Sequence, residues 1–305
     1  MSNQIFSVKK TCPICHTVVE VYRVKSSSYS LIGRDSDFCP QYSGINPLLY
    51  QVAVCPQCHY AAPSKTFGTD HPSEEKERLK TLLPILKAKD PEFKFEPNWT
   101  YAAMAFELLI RTMQICKKPP HKLAPLFLRT AWCYRFLGNQ EKEIFFLELA
   151  CKHYEENYLN SYTQNEMSEV RQLYLIGELK RRLGKFDEAI FWFSKVVSHP
   201  QIKNEPEVER LAREQWYITK EQKQEKDNKN SAQQQANGNI MPKEINLNIK
   251  LYENQYIWLK SFLQEIPLPP HQAISEFLSF LITRLQKSEN LKDIYDEFKN
   301  TLSSF

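Results

Sequence analysis

Two short stretches constrain this chain more than any others: CPICH at residues 12–16 and CPQCH at residues 55–59. A Cys-X-X-Cys turn sets two sulfurs on one side of a tight loop whose N–H groups point at the thiolates. Two such turns close a tetrahedron around Zn²⁺. Cys12, Cys15, Cys55 and Cys58 are therefore the expected ligands of one zinc per chain. Four thiolates fill the shell and leave no position to activate water, so the ion is expected to be structural. The competing reading is a redox pair of the thioredoxin kind. That needs a single pair at a helix N-terminus in a strand–helix–strand context, which is missing here. Residues 16–54, between the pairs, exceed the usual ribbon spacing and so must carry a hairpin of their own.

The surrounding sequence sets the setting for that clamp. No apolar run approaches the roughly 20 residues a membrane helix needs, and MSNQIFSVKK has no apolar signal core. A cytoplasmic protein without a membrane partner is expected, and a reducing compartment favours thiolate–metal chemistry over disulfides. The formal charge of +4 is dispersed over mixed Lys/Glu surfaces and announces neither nucleic acid nor membrane. Only seven glycines argue against a phosphate-cradling loop, and the many Leu, Lys, Glu and Gln favour helix. The expected fold class is mainly α with a small β zinc module.

Four units follow from the patterning. Residues 1–72 form a zinc-ribbon-like module, with strand-like VVEVYRV at 18–24 and LLYQVAV at 48–54. Residues 73–220 form a helical array, punctuated at Ser73, Asn98, Pro119-Pro120, Gly138, Gly184 and Asn204, and Pro84 should kink or end its first helix. Residues 221–242, with almost no large apolar side chain, are expected to be a disordered linker. Residues 243–305 begin with the alternating strand INLNIKL and continue as two amphipathic helices.

Other polar groups have blander readings. His16 and His59 follow the knuckles where glycine is common, because that turn position often needs positive φ. They are expected at the surface or beside the ligands. Cys39, in GRDSDFCPQY, is a reserve nucleophile if Arg34 lowers its pKa, and otherwise a buried thiol. Asp35 and Asp37 form a potential acid–base pair, but at this spacing they more often bind neighbouring backbone N–H groups. No Ser-His-Asp order, open metal site or nucleotide loop supports an enzyme. The clamp is expected to fix the GRDSDFCPQY loop against the neighbouring helices.

CPICH, GRDSDFCPQYSGINPLLYQVAVCPQCHYAA, LRTAWCYRFLGNQEKE and YLIGELKRRLGKFDEAIFWFSKVV together resemble the uncharacterised bacterial domain-of-unknown-function family 2225, over roughly residues 8–215. The resemblance implies a zinc-ribbon module joined to tetratricopeptide-like helices, with no assigned reaction. His rather than Gly after each knuckle departs from the family pattern. Separately, Leu173, Ile176, Gly177, Gly184, Phe186, Ala189 and Phe193 match the tetratricopeptide pattern, and Phe127, Ala131, Gly138, Leu147 and Ala150 match it with Glu143 where Ala is usual. Gly138 and Gly184 lie 46 residues apart, against a period of about 34, so the array is irregular. By this resemblance the first helix of each repeat lines a groove for a protein or peptide partner. Trp132, Arg135, Tyr174, Glu178 and Arg181 would form it, with Leu128, Phe136, Arg171 and Arg182 beside them.

The tail resembles the ribbon-helix-helix family, in which paired strands read the DNA major groove and helices form the dimer. Asn246, Asn248 and Lys250 would be the reading residues. Residues 243–305 nevertheless carry seven Lys/Arg against eight Asp/Glu, and EIPLPPH lacks the usual turn residues. Phosphate attraction is therefore weak, and a dimerisation module is preferred. The leading expectation is a non-enzymatic, zinc-stabilised interaction scaffold that dimerises through its tail. A DNA-binding regulator is the alternative.

Overall fold

The structure, a computed structural model, describes residues 4–87, 94–160 and 167–236. Three antiparallel hairpins come first: β1 (Ile5–Thr11) with β2 (Val18–Val24), β3 (Tyr29–Arg34) with β4 (Pro40–Gly44), and β5 (Val52–Val54) with β6 (Ala61–Pro63). The two Cys-X-X-Cys sequences are the turns of the outer hairpins, and the middle hairpin occupies the span between them, as that span requires. β2 coincides with VVEVYRV, and its burial alternates: Val19 and Val21 are buried while Val18 and Glu20 are exposed.

LLYQVAV is strand only at its end. Pro47–Tyr50 forms a 3₁₀ turn because Asn46 caps it, accepting the Leu48 N–H at 3.0 Å, with Pro47 at the first helical position. Local capping thus overrides a β-rich composition.

Seven α-helices follow among the described residues. They are α1 (Ser73–Lys87), α2 (Trp99–Ile115), α3 (Pro120–Phe136), α4 (Gln140–Leu159), α5 (Glu169–Arg182), α6 (Phe186–Val197) and α7 (Pro206–Ala236). The chain is therefore mainly α, with small antiparallel sheets at its N-terminal end. Asn98, Asn139 and Ser168 start α2, α4 and α5 by accepting N–H groups of Tyr101, Lys142 and Arg171. Two sequence expectations change here. Pro84 lies inside α1, which continues to Lys87; the carbonyl left without a donor belongs to exposed Lys80, where water can serve it. α7 continues to Ala236, through much of the stretch expected as a linker. That stretch is mostly Gln, Lys, Asn, Glu and Ala, without Gly or Pro before Gly238, so a helix anchored by buried Ala212, Gln215 and Thr219 propagates through it.

The β module and the helices share their cores. One core joins Cys39, Leu48 and Val54 to Phe106, Ala131, Leu173 and Phe193 of the helices. The other joins Cys12, Cys55, Val19, Val21 and Tyr60 to Leu79 and Leu83 of α1. Within the array α3 packs on α4 and α5 on α6, and the turn residues Gly138 and Gly184 both sit at φ 70°. Gly177 lets α5 and α6 approach: a Cβ there would lie 2.9 Å from the fully buried ring of Phe193. Gly177→Ala should therefore destabilise the fold by about 1 kcal/mol, overpacking of about 2 kcal/mol being partly offset by better helix propensity. In a Phe193→Leu background the same change should stabilise instead, as read by urea unfolding.

Candidate metal centre and docked loop

The four knuckle cysteines converge. Their sulfurs lie within 4.8 Å of one another, with Cys12–Cys58 at 3.7 Å and Cys15–Cys55 at 3.5 Å. Four sulfurs about 2.3 Å from one tetrahedral ion lie about 3.8 Å apart, so the donor set fits a metal without rearrangement. The two turns are built alike. His16 N–H donates to the Cys12 carbonyl and His59 N–H to the Cys55 carbonyl, while the Cys12 and Cys55 N–H groups donate to the carbonyls of Thr17 and Tyr60. His16 and His59 both hold positive φ, 62° and 58°, at the positions where glycine was the sequence norm. His16 is exposed and His59 buried, and neither joins the sulfur cluster. Hydrogen bonds from Cys55 and Cys58 pull the Cys12 thiol down to about 2, and the same contacts push Cys55 up to about 12 and Cys58 higher still.

The β3–β4 tip, Asp35–Phe38, is the second feature. It turns back on itself through Phe38 N–H to the Asp35 carbonyl and Asp35 N–H to the Cys39 carbonyl, with Phe38 at φ 64°. Asp37 accepts the Cys39 N–H, as its loop position suggested, but its main partners come from the helices. Arg135 Nη2 lies 2.6 Å from Asp37 Oδ2, Trp132 Nε1 donates to the same oxygen at 3.0 Å, and Arg182 lies 3.7 Å from Oδ1. Arg135 also reaches Asp35 at 3.2 Å and Glu143 at 2.7 Å. Ser36 donates its hydroxyl to Glu178 and its carbonyl accepts from Tyr174 at 2.7 Å. Glu178, fully buried, is held in turn by Arg181 at 2.7 Å and Arg182 at 2.8 Å.

Trp132, Arg135, Tyr174 and Glu178 thus face one site, but its occupant is residues 35–38 of the same chain, and Arg181 reaches Glu178 and Gln222 rather than that tip. Trp132, Tyr174 and Glu178 are buried beneath that tip and are not free to receive another protein. Leu128 is core, Phe136 stacks on Trp99 at 4.2 Å, and Arg171 pairs with Glu205. Ser36 belongs to the network without any sequence sign beyond its neighbours, whereas Glu143 stood out as a departure from the repeat pattern.

A family model described as "Uncharacterized protein conserved in bacteria (DUF2225)" matches residues 5–219, which contain both the sulfur cluster and the docked tip. The chain belongs to this family. No curated protein and no solved structure is similar to it.

In this DUF2225 chain Cys39 is a core residue. Burial and the nearby Asp37 carboxylate push its thiol up to about 12, and Arg34 lies exposed, away from the role of lowering it. No helix among the described residues is long and apolar enough to cross a membrane. Asn246, Asn248 and Lys250, and the rest of the strand-helix-helix tail, lie outside the described residues.

Burial opposes the Asp37 charge, but hydrogen bonding from Arg135 and the charges of Arg182 and Arg135 win, holding its carboxyl below the usual carboxylate range. Its stabilisation is therefore full above the unfolded value of about 4 and is lost as pH falls through the depressed native value. Asp37→Asn should cost about 3 kcal/mol at neutral pH, because it leaves a buried arginine short of its partner. Urea midpoints of the two proteins should converge on acidification below about pH 4; parallel curves would remove Asp37 from the linkage.

Proposed function

We propose that this DUF2225 protein is a non-enzymatic binding scaffold of the cytoplasm whose partner is an acidic segment of another protein. The single observation that carries the reading is a cleft of about 880 Å³ whose lining includes Lys118, His121, Lys122 and Arg129 and, among the described residues, no carboxylate. Met113, Leu126, Met167 and Tyr154 give it apolar and aromatic contact surface. The Nδ1 of His121 is buried without a hydrogen-bond partner among the described residues, a polar atom available to a ligand. Basic groups around an apolar floor suit a peptide with Asp or Glu beside hydrophobic side chains. The cleft replaces the groove first inferred from the helix pattern, which the chain fills with its own loop.

The tetrathiolate centre, in this proposal, holds one structural Zn²⁺. Cys12, Cys15, Cys55 and Cys58 supply all four donors, a soft and closed set suited to zinc. The ion joins the two outer hairpins and so steadies the middle one, whose tip locks into the helices. Asp37 tied to arginines and Cys39 buried support the non-enzymatic reading. Dimerisation through residues 243–305 belongs to the proposal on sequence pattern alone. Light scattering should then give a dimer for the full chain and a monomer for residues 1–237.

For the metal, replacing Cys12 and Cys58 by Ser should release zinc and unfold the hairpins, seen as lost zinc by elemental analysis and a lower melting temperature. For the cleft, a fluorescent peptide rich in Glu and Leu should bind in a salt-sensitive manner. The double charge reversal Lys122→Glu with Arg129→Glu should weaken it by about tenfold or more while leaving the melting temperature unchanged. Binding that ignores the reversal would sink the cleft as the docking site.

A further inference from the structure

We infer that His71, Glu75 and Cys116 form a second metal site, for a divalent ion of the zinc type, with a coordination position left open. His71 precedes α1, Glu75 lies in the first turn of α1, and Cys116 caps the C-terminus of α2. Their donor atoms come within 4.8 Å of one another. Cys116 is buried, and the side chains of His71 and Glu75 are only 18% and 14% exposed. An imidazole, a carboxylate and a thiol in one desolvated corner form a mixed nitrogen, oxygen and sulfur set. Zinc accepts all three types, whereas magnesium or calcium would want more oxygens.

The surrounding contacts support the same ion. Glu75 is the hub: its Oε2 lies 3.0 Å from His71 Nδ1, and the Cys116 sulfur lies within 4.8 Å of both donors. A divalent ion would stand between the three. The other imidazole nitrogen, Nε2, lies 2.8 Å from Tyr60 Oη, and the other carboxylate oxygen, Oε1, is held by Lys118 Nζ at 2.6 Å. These are the outer contacts that orient a ligating histidine and a ligating carboxylate. The proton balance is simple. On binding, the imidazole proton moves from Nδ1 to Nε2, where Tyr60 Oη accepts it, and the Cys116 proton leaves to solvent. Imidazole, carboxylate and thiolate then neutralise the ion's two charges, and Lys118 remains on the outer oxygen.

Three protein donors, against four at the sulfur cluster, leave a place for water or a ligand atom. The tetrathiolate ion is expected to be held for the life of the fold, and this one to exchange. Lys118 also lines the basic cleft, so one residue touches both features. The site does not depend on the proposed partner.

The test uses the full chain, freshly reduced, loaded with Co²⁺ and dialysed against low free metal. Two ions per chain are expected, with sulfur-to-cobalt absorption from a four-thiolate and a one-thiolate centre. Cys116→Ser and, separately, His71→Ala should each drop the ratio to one ion and remove only the weaker absorption, while circular dichroism stays unchanged. Cys12→Ser should remove the stronger absorption and spare the weaker. A wild-type ratio of one that neither Cys116→Ser nor His71→Ala lowers overturns the second site, as does the absence of any bound ion. One ion lost in Cys116→Ser but kept in Cys12→Ser upholds the second site and overturns the tetrathiolate reading instead.

Discussion

A carboxylate with no access to water survives only where fixed donors replace its hydration. Asp37 is fully buried, and the guanidinium of Arg135, the indole N–H of Trp132 and the backbone N–H of Cys39 surround it. The placement of everything else follows from satisfying that charge. The β3–β4 tip reaches α3 and α5 together, so both helices must turn their donors toward it. Gly177 serves the same end by letting α6 close onto α5. Arg181 and Arg182 hold Glu178, and Arg182 brings a further positive charge toward Asp37, so each buried carboxylate of the network faces a guanidinium.

The parts of this fold that local rules govern were legible in the sequence. Paired Cys-X-X-Cys turns, the hairpin needed between them, β2 and the Asn98-capped start of α2 depend on residues a few positions apart. The tip's docking was legible as an outcome, because a clamped loop beside helices must land somewhere. Its partners were only half legible. Trp132, Arg135, Tyr174, Glu178 and Arg181 carry the composition of an interface, and the first four form one; nothing in their spacing says that the other side is Ser36 and Asp37 of the same chain. Pairings of that length leave no periodic trace. The basic cleft escaped notice for the same reason, since Lys118, Lys122 and Arg129 meet Met167 only after α3 and α5 pack. His71 and Glu75 stand four apart beside a helix start, a readable spacing, but Cys116 reaches them only through the packing of α1 on α2.

Sulfur cluster and ion network occupy different parts of one β module. The four sulfurs meet between the outer hairpins, one of which is short: β5 and β6 are three residues each. A pair of strands so short has little stability of its own. The middle hairpin needs direction more than strength, because its tip brings its own charged contacts to the helices. Splitting restraint and recognition in this way lets a module of few apolar residues hold a polar loop at one place in the array.

The docked tip also sets an order of events. Its contacts with Trp132, Arg135, Tyr174 and Arg182 join residues 95 to 146 positions apart, whereas each knuckle closes over five or six. During synthesis the hairpins and their sulfurs emerge well before α5 exists. At ribosomal speeds of about 5–20 residues per second, Asp37 waits roughly 7–30 s for Arg182. Until α3 supplies Trp132 and Arg135 the tip is a solvated acidic loop, and α5 completes its burial.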